Sequence, residues 1–371
     1  MTINSNFYHK KKVAFIVQGL NAGGTENYLL RFLRYYQEDI EATVYCKSGI
    51  LGELENEFRE IHAQLIPFHL GYISLIEHIN LKKEFQIKKY DSVCDLTGSF
   101  GALPLLMAKW SGIEKRVSFF RSSKERFQKN FLKTKYNQLT TSILPKISTK
   151  ILSNSIAALN YFYGSKWNDN HIFETVYNGV DSTKFLEEKS NLFSELDIPR
   201  KAFVIGHVGR YNKEKNHDTA IKVAIELCLE YDDIFFIFCG KNVKEVYAKT
   251  IKEKRLSNKI KFLGVRRDVN KVLNTLNCFY FPSIVEGQPN ALIEALIVGL
   301  PFVASNIDSI KETVPMNFYG QLIPPMEVKL AKKKIIDIKH NIISRKNFDL
   351  SQWAIDSYNP EKCFSRFYEN L

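Results

Sequence analysis

A chain of 371 residues with 45% apolar and 25% charged residues is long enough for two domains with full cores and has the composition of an ordinary globular protein. No uninterrupted run of 18 apolar residues occurs, which excludes an obvious membrane-spanning helix. Cys46, Cys94, Cys228, Cys239, Cys278 and Cys363 form no C-x-x-C pair, so they read as reduced, buried thiols of a cytosolic protein rather than a disulfide framework or zinc site. The opening MTINSNFYHKKK lacks the apolar core of a signal peptide.

The formal net charge of +12 invites an anionic partner, and its placement says more than its size. Lys109, Lys115, Arg116, Arg121, Lys124, Arg126, Lys129, Lys133, Lys135, Lys146 and Lys150 are opposed only by Glu114 and Glu125. This 109–150 stretch carries a net +9, which leaves the rest of the chain close to neutral.

In chain order, Val13 to Val17 is an apolar run expected to be a buried parallel strand. The loop 18–26, containing Gly23, Gly24, Thr25 and Glu26, leads to an amphipathic helix from about Glu26 to Tyr36. Strand, glycine-rich loop and helix form a geometry that suits a phosphate, although a simple tight turn is the plainer reading of the glycines. Further strands are expected at Ala42–Cys46, Gln64–Pro67, Ser92–Leu96, Arg116–Phe120 and Ile151–Ser153, with helices between them, which predicts a parallel sheet covered on both faces. Through Phe127, Phe131, Leu132, Tyr136, Leu139, Ile143 and Leu144, apolar positions recur at helical spacing among the basic residues. That pattern fits a helix lying on an anionic bilayer, or the solvated basic face of a core-packed helix. No nucleic-acid module surrounds it, so nucleic acid is not expected as a partner.

Tyr177-Asn178-Gly179-Val180-Asp181 is an Asn-Gly turn, and the charged segment from Ser182 to Arg200 reads as an interdomain linker. A second alternating pattern begins at Phe203 to Arg210. Its buried strand ends in Gly209-Arg210, and Lys215 follows at a helix start, placing two cations near the carboxyl end of a strand, where doubly wound sheets bind ligands. His217 reads as a structural or solvent-facing histidine. Ile234 to Gly240 is another buried strand, and Ile260 to Val269 forms a strand and turn containing Val265, Arg266 and Asp268.

The stretch from Phe281 to Ser305, FPSIVEGQPNALIEALIVGLPFVAS, organises this half. A strand ends at Phe281, and Glu286 sits in a Gly/Pro-marked loop. Pro289 suits the first position of a helix running from Asn290 to Val298, which Gly299 and Pro301 stop. Glu294 is a carboxylate on an otherwise apolar helix, which requires a partner or a ligand because burial unpaired is costly. Glu286 and Glu294 should lie roughly 10–12 Å apart at ~1.5 Å per helical residue plus the loop. Carboxylates at both ends of a free helix N-terminus suit a ligand with hydroxyls at either end and phosphate between, while a structural ion pair is the plainer alternative. A basic helix over Lys329–Lys339 and an aromatic tail at Trp353, Tyr358, Phe364, Phe367 and Tyr368 complete the chain.

Glu286 and Glu294, with seven residues between them, resemble the E-x7-E signature of the family 4 retaining glycosyltransferases, in particular the branch that builds bacterial capsule, exopolysaccharide and O-antigen. Gly23-Gly24-Thr25-Glu26, Tyr177 to Asp181, the Arg210 and Lys215 pair, and Phe262-Leu263-Gly264 followed by Asp268 match further blocks of that family in the same order. The resemblance implies an α/β fold of the GT-B type, with two Rossmann-like domains whose parallel sheets face an interdomain cleft. Residues 1–182 would form the acceptor-side domain, joined by the tail 356–371, and 183–355 the donor-binding domain.

It implies that the chain moves a sugar from a nucleotide-sugar donor, UDP-linked, to a lipid-linked surface polysaccharide with retention of anomeric configuration. Neither metal nor cofactor would take part; no D-x-D pair occurs. Arg210, Lys215 and Glu286 would be catalytic. Gly23, Gly24, Val265, Arg266, Gly287, Gln288, Pro289, Asn290 and Glu294 would join them in holding the donor. Thr25, Glu26, Arg121 and Ser122 would lie on the acceptor side. The family usually has a His-x-His-like element after the strand at 116–120, where this chain has Phe119-Phe120-Arg121-Ser122-Ser123. Arg121 there could meet an acceptor phosphate or form a surface ion pair. The expected location is the cytoplasm, peripheral on the inner face of the membrane through the 109–150 stretch. A nucleotide-sugar epimerase of the same fold and a non-catalytic membrane- or polysaccharide-binding relative are the competing readings.

Overall fold

The computed structural model describes residues 10–71, 74–124, 131–187, 190–340 and 349–371. The expected contributions of Glu125, Arg126, Phe127 and Lys129 lie outside the described residues. The chain divides into two units, the first comprising 1–179 and 360–371 and the second 180–359.

The first unit is built on seven strands: β1 (Lys11–Val17), β2 (Ile40–Cys46), β3 (Gln64–Pro67), β4 (Ser92–Asp95), β5 (Lys115–Phe120), β6 (Lys150–Ser153) and β7 (Phe173–Thr175). Their spatial order is β3-β2-β1-β4-β5-β6-β7, and every pairing is parallel. β1 shows why such a strand reads as an unbroken apolar run. Val13, Phe15 and Val17 point into one core, Ala14 and Ile16 into the other, so successive residues serve opposite faces and both must be apolar. The helix Pro360–Asn370 closes the first of these cores. Its Phe367 ring lies 4.5 Å from Phe32, and Tyr368 stacks on Tyr36 at 4.4 Å.

The second unit holds six parallel strands: β8 (Phe203–Val208), β9 (Ile234–Cys239), β10 (Ile260–Gly264), β11 (Cys278–Phe281), β12 (Phe302–Ser305) and β13 (Leu322–Ile323). Their order is β10-β9-β8-β11-β12-β13. Strand order therefore reverses between β1 and β4 in one sheet and between β8 and β11 in the other. At such a reversal the connecting loops diverge and leave a crevice beyond the carboxyl ends of the strands.

The expected strands all form, and all six cysteines are buried and free. Two additional strands, β7 and β13, have three and two residues, too short to show a period in sequence. The expected linker over 182–200 carries structure of its own. It contains the helix Thr183–Leu186, and Leu192 and Ile198 are buried, with the Leu192 amide donating to Thr275 Oγ1 at 2.9 Å. The basic helix, Val328–Lys339, packs Ala331, Ile335 and Ile338 inward and extends Lys332 to Glu226 and Glu230.

Candidate donor site in the second unit

The loops leaving β8 and β11 are fastened to each other at the strand-order reversal. After β8, the Asn212 side chain accepts from the Lys215 amide at 2.8 Å and closes a short turn. Asn216 then adopts a left-handed conformation (φ 54°), which Asn tolerates better than most residues. Its Nδ2 donates to Pro282 O (3.0 Å) and Pro325 O (2.9 Å), while Oδ1 accepts from Thr219 Oγ1 (2.9 Å). The Ile284 amide donates to Glu214 O at 2.7 Å. Gly240, at the end of β9, supports the same loop from below. A Cβ there would sit 2.0 Å from Gly209 O, so only glycine permits this approach.

This framework brings Lys215 to Glu286. The ammonium donates to Glu286 Oε1 at 2.7 Å and lies 4.7 Å from the Phe281 ring centroid; the two side chains are 18% and 9% exposed. Arg210 is exposed and makes no hydrogen bond or ion pair among the described residues. Gly287, Gln288 and Pro289 are buried behind Glu286. The helix that follows spans Asn290–Ile297, with Pro289 as its uncapped N-cap rather than its first helical residue. Pro289 O instead accepts from the Leu292 and Ile293 amides at 3.0 and 3.1 Å. Asn290 and Glu294 are four residues apart and share one helix face, and Glu294 is 7% exposed. The loop after β8 thus carries Arg210 and Lys215, and the segment after β11 carries Glu286, a helix N-terminus and Glu294, groups whose chemistry suits phosphate and hydroxyl ligands.

Val265 is exposed, whereas Arg266 is already engaged. Its Nε and Nη2 each donate to Asp268 at 2.8 Å, and Nη1 donates to Glu195 at 2.5 Å. Its amide meets the Cys239 thiol. The Arg266 guanidinium is thus largely committed to Asp268 and Glu195.

Of the two readings of His217, structural or solvent-facing, its burial fits the structural one. Its Nε2 donates to Gly209 O at 3.2 Å, and its ring meets buried His207 edge-on at 4.7 Å. Burial pushes the His217 imidazole down to about 4, and burial likewise holds His207 well below the ordinary histidine value. The sequence reading passed over Asn212, Asn216 and His207. The two asparagines flanking Lys213–Lys215 carried a turn signal; His207, inside an apolar strand, carried none.

In the first unit, Gly23 is the N-cap of helix Gly24–Tyr35. A Cβ at Gly23 would lie 2.5 Å from Glu26 Oε2, so the glycine makes room for a carboxylate folded back over the helix start. Thr25 is partly exposed beside it, and Gly24 has open space where a side chain would be. Arg121 is buried rather than on the surface. It is 9% exposed, with its guanidinium 3.7 Å from the Tyr28 ring and 4.9 Å from that of Phe119. Ser122 Oγ turns back to donate to Lys124 O at 2.8 Å.

Residues 188–350, nearly all of the second unit, match the family model described as Glycosyl transferases group 1. A capsular polysaccharide biosynthesis glycosyltransferase, CapH, of Staphylococcus aureus is 28% identical, covering 92% of this chain and 95% of its own. UDP-Gal:alpha-D-GlcNAc-diphosphoundecaprenol alpha-1,3-galactosyltransferase of Escherichia coli is 27% identical over 85% of this chain and 84% of its own. Among solved structures, Anabaena HepE in complex with UDP and glucose superposes with a TM-score of 0.80 at 19% identity, covering 97% and 99% of the two chains. The two parallel-sheet units are those of the GT-B fold.

Proposed function

We propose that this chain is a glycosyltransferase of surface polysaccharide assembly, transferring a sugar from a UDP-linked donor to a lipid-linked oligosaccharide with retention of configuration and without a metal. The observation that carries this reading is the Lys215–Glu286 ion pair, which joins the loops leaving β8 and β11 at the strand-order reversal. The names of the staphylococcal and E. coli relatives support the polysaccharide context and a diphosphate-lipid acceptor. The UDP bound to HepE supports the donor.

In this reading Glu294 takes the ribose hydroxyls, with Asn290 on the same face. Arg210, Lys215 and the helix N-terminus balance the charge that grows on the departing diphosphate. Glu286 holds donor-sugar hydroxyls, supported by Gly287 and Gln288. Lys215 has Glu286 as its partner in the free protein; a diphosphate would compete for the ammonium and free the carboxylate for the sugar. Binding and activation are thereby linked through one ion pair.

The membrane role falls to fewer residues than the +9 stretch suggested. Arg116 donates to the carbonyls of Ile113, Glu114 and Ile147, Lys150 to His171 O, and Arg121 is buried. Phe131, Lys135, Leu139 and Lys146 remain exposed on the helix Phe131–Ile147, whose Leu144 and Ile147 are core. Phe131, Lys135 and Leu139 are four apart and form one outward stripe of apolar and basic groups suited to an anionic lipid surface.

The test is transfer itself. Purified protein with radiolabelled UDP-glucose, UDP-galactose and their N-acetylated counterparts should label an undecaprenyl-diphosphate-linked sugar, and Glu286→Gln and Arg210→Ala should each abolish the label. Release of free sugar at the same rate with and without acceptor would contradict the assignment.

A further inference from the structure

The first unit contains a pocket of about 270 Å³ that the donor chemistry does not use. It opens at the carboxyl ends of its strands: Gln18 follows β1, Lys47 and Ser48 follow β2, His69 follows β3, and Phe100 lies beyond β4. His78 and Tyr136 complete the wall. The strand order β3-β2-β1-β4 draws these residues together from widely separated parts of the chain.

Lys47 is the unusual member. It is 9% exposed, yet no carboxylate comes within ion-pair distance of it among the described residues. Its ammonium is aimed by two neutral acceptors, Phe100 O at 2.9 Å and Thr97 Oγ1 at 3.3 Å. A lysine has three N–H donors, so this arrangement orients the charge without neutralising it. Burial lowers its proton affinity, and buried Asp95 opposes that effect. Neither nearby carboxylate bonds the ammonium directly. Asp95 Oδ1 accepts from the Thr97 amide (2.7 Å) and hydroxyl (2.6 Å), Glu77 Oε2 accepts from the Gly71 amide (2.8 Å), and neither lines the pocket.

Gln18, Ser48, His69 and His78 add groups able to donate, and Phe100 and Tyr136 add flat surfaces. His78 Nδ1 donates to Ser74 O at 2.6 Å, which leaves Nε2 as its second polar atom. The rings of Phe100 and Tyr136 stack at 6.4 Å with 23° between their planes. Asp95, linked to Lys47 through Thr97 Oγ1, offsets part of the cost of holding the cation out of water, and an anionic ligand in direct contact would offset more.

We infer that this pocket is a binding site for an anionic sugar unit, a phosphate or carboxylate meeting Lys47 while the Phe100 and Tyr136 rings meet the sugar. The glycosyltransferase reading is needed only to say that this unit belongs to the acceptor. The site makes the enzyme selective for acceptors bearing acid groups over neutral ones of the same size.

The experiment uses the full chain saturated with UDP, so that charged sugars cannot report through the donor crevice. UDP binding, measured first on the same sample, tests the donor reading separately. Glucuronate, glucose 6-phosphate and glucose are then titrated while the imidazole NMR signals of His69 and His78 are followed against those of His207 and His217. At least one charged sugar should move the first pair and leave the second pair still. It should bind at least about tenfold more tightly than glucose, as expected of a charge-assisted hydrogen bond. Which of the two charged sugars responds separates a carboxylate from a phosphate source. Lys47→Met should remove that advantage with UDP affinity unchanged. Glucose binding as tightly as the charged sugars, an unaltered Lys47→Met, or no imidazole response to either charged sugar would overturn the inference. Should Lys47→Met fail to fold, the wild-type imidazole response decides the question alone.

Discussion

The ion pair between Lys215 and Glu286 should be asymmetric, and the asymmetry can be worked from exposure. Lys215→Met strands a carboxylate whose side chain is 9% exposed in a loop closed by Gly287, Gln288 and Pro289. Removing one partner from a fully buried pair costs about 3–5 kcal/mol; the 18% exposure of Lys215 admits some water, which reduces the expected cost to about 2–3 kcal/mol. Glu286→Gln instead leaves a long ammonium chain that can turn toward solvent, and its cost should be about 1 kcal/mol. The double variant should resemble Glu286→Gln rather than the sum of both, giving a coupling of about 2–3 kcal/mol. Because the chain has two units, a single unfolding curve is a poor measure. Hydrogen exchange at the amides of β8 and β11 isolates the relevant opening free energy. Additive single effects, or a Glu286→Gln variant worse than Lys215→Met, would refute the view that a buried carboxylate is being neutralised.

Other expectations follow from the same geometry. Gly240→Ala should displace the Gly209–Arg210 backbone, destabilise the second unit by about 2 kcal/mol or more and abolish UDP binding, as read by thermal shift. Hydrogen bonds from Arg266 hold the Asp268 and Glu195 carboxyls below their ordinary values, so their stabilisation is present above the carboxylate range and is lost as pH falls through it; Arg266→Ala should flatten that acid slope in urea titrations. His217 works in a higher window. Its folded value of about 4 lies below the ordinary 6.5, so the unfolded chain binds the extra proton and stability should fall as pH drops from 6.5 toward 4, a loss that His217→Gln should reduce. Vesicle flotation should show binding to anionic but not neutral liposomes, weakened by Phe131→Ser with Lys135→Glu; equal binding to neutral vesicles would contradict the electrostatic account.

Buried parallel strands were legible because they carry apolar residues on both faces, and the loops at 209–216 and 282–290 were legible because glycine, proline and charge punctuate them. The segment 182–200 misled because its buried side chains, Leu192 and Ile198, are separated by charged residues and find their partners only in the folded second unit. The burial of Arg121 was not legible, since nothing adjacent in sequence reveals that Tyr28, ninety-odd residues earlier, supplies a ring to cover it. The Lys47 pocket is the clearest case of this kind. A lysine after IEATVYC and an aspartate ending SVCD are unremarkable separately, and only the order β2-β1-β4 makes them neighbours. Local pattern reports which face of an element is buried, whereas the sites depend on which elements stand side by side.

The central claim is that the second unit binds a nucleoside diphosphate through the β8/β11 crevice. Calorimetric titration of UDP into the wild type and Glu294→Ala tests it most directly. The account predicts saturable binding by the wild type and an affinity at least about tenfold weaker in the variant, the worth of charged hydrogen bonds to two ribose hydroxyls. A wild type that does not bind UDP, or a Glu294→Ala protein that binds it equally well, would contradict it.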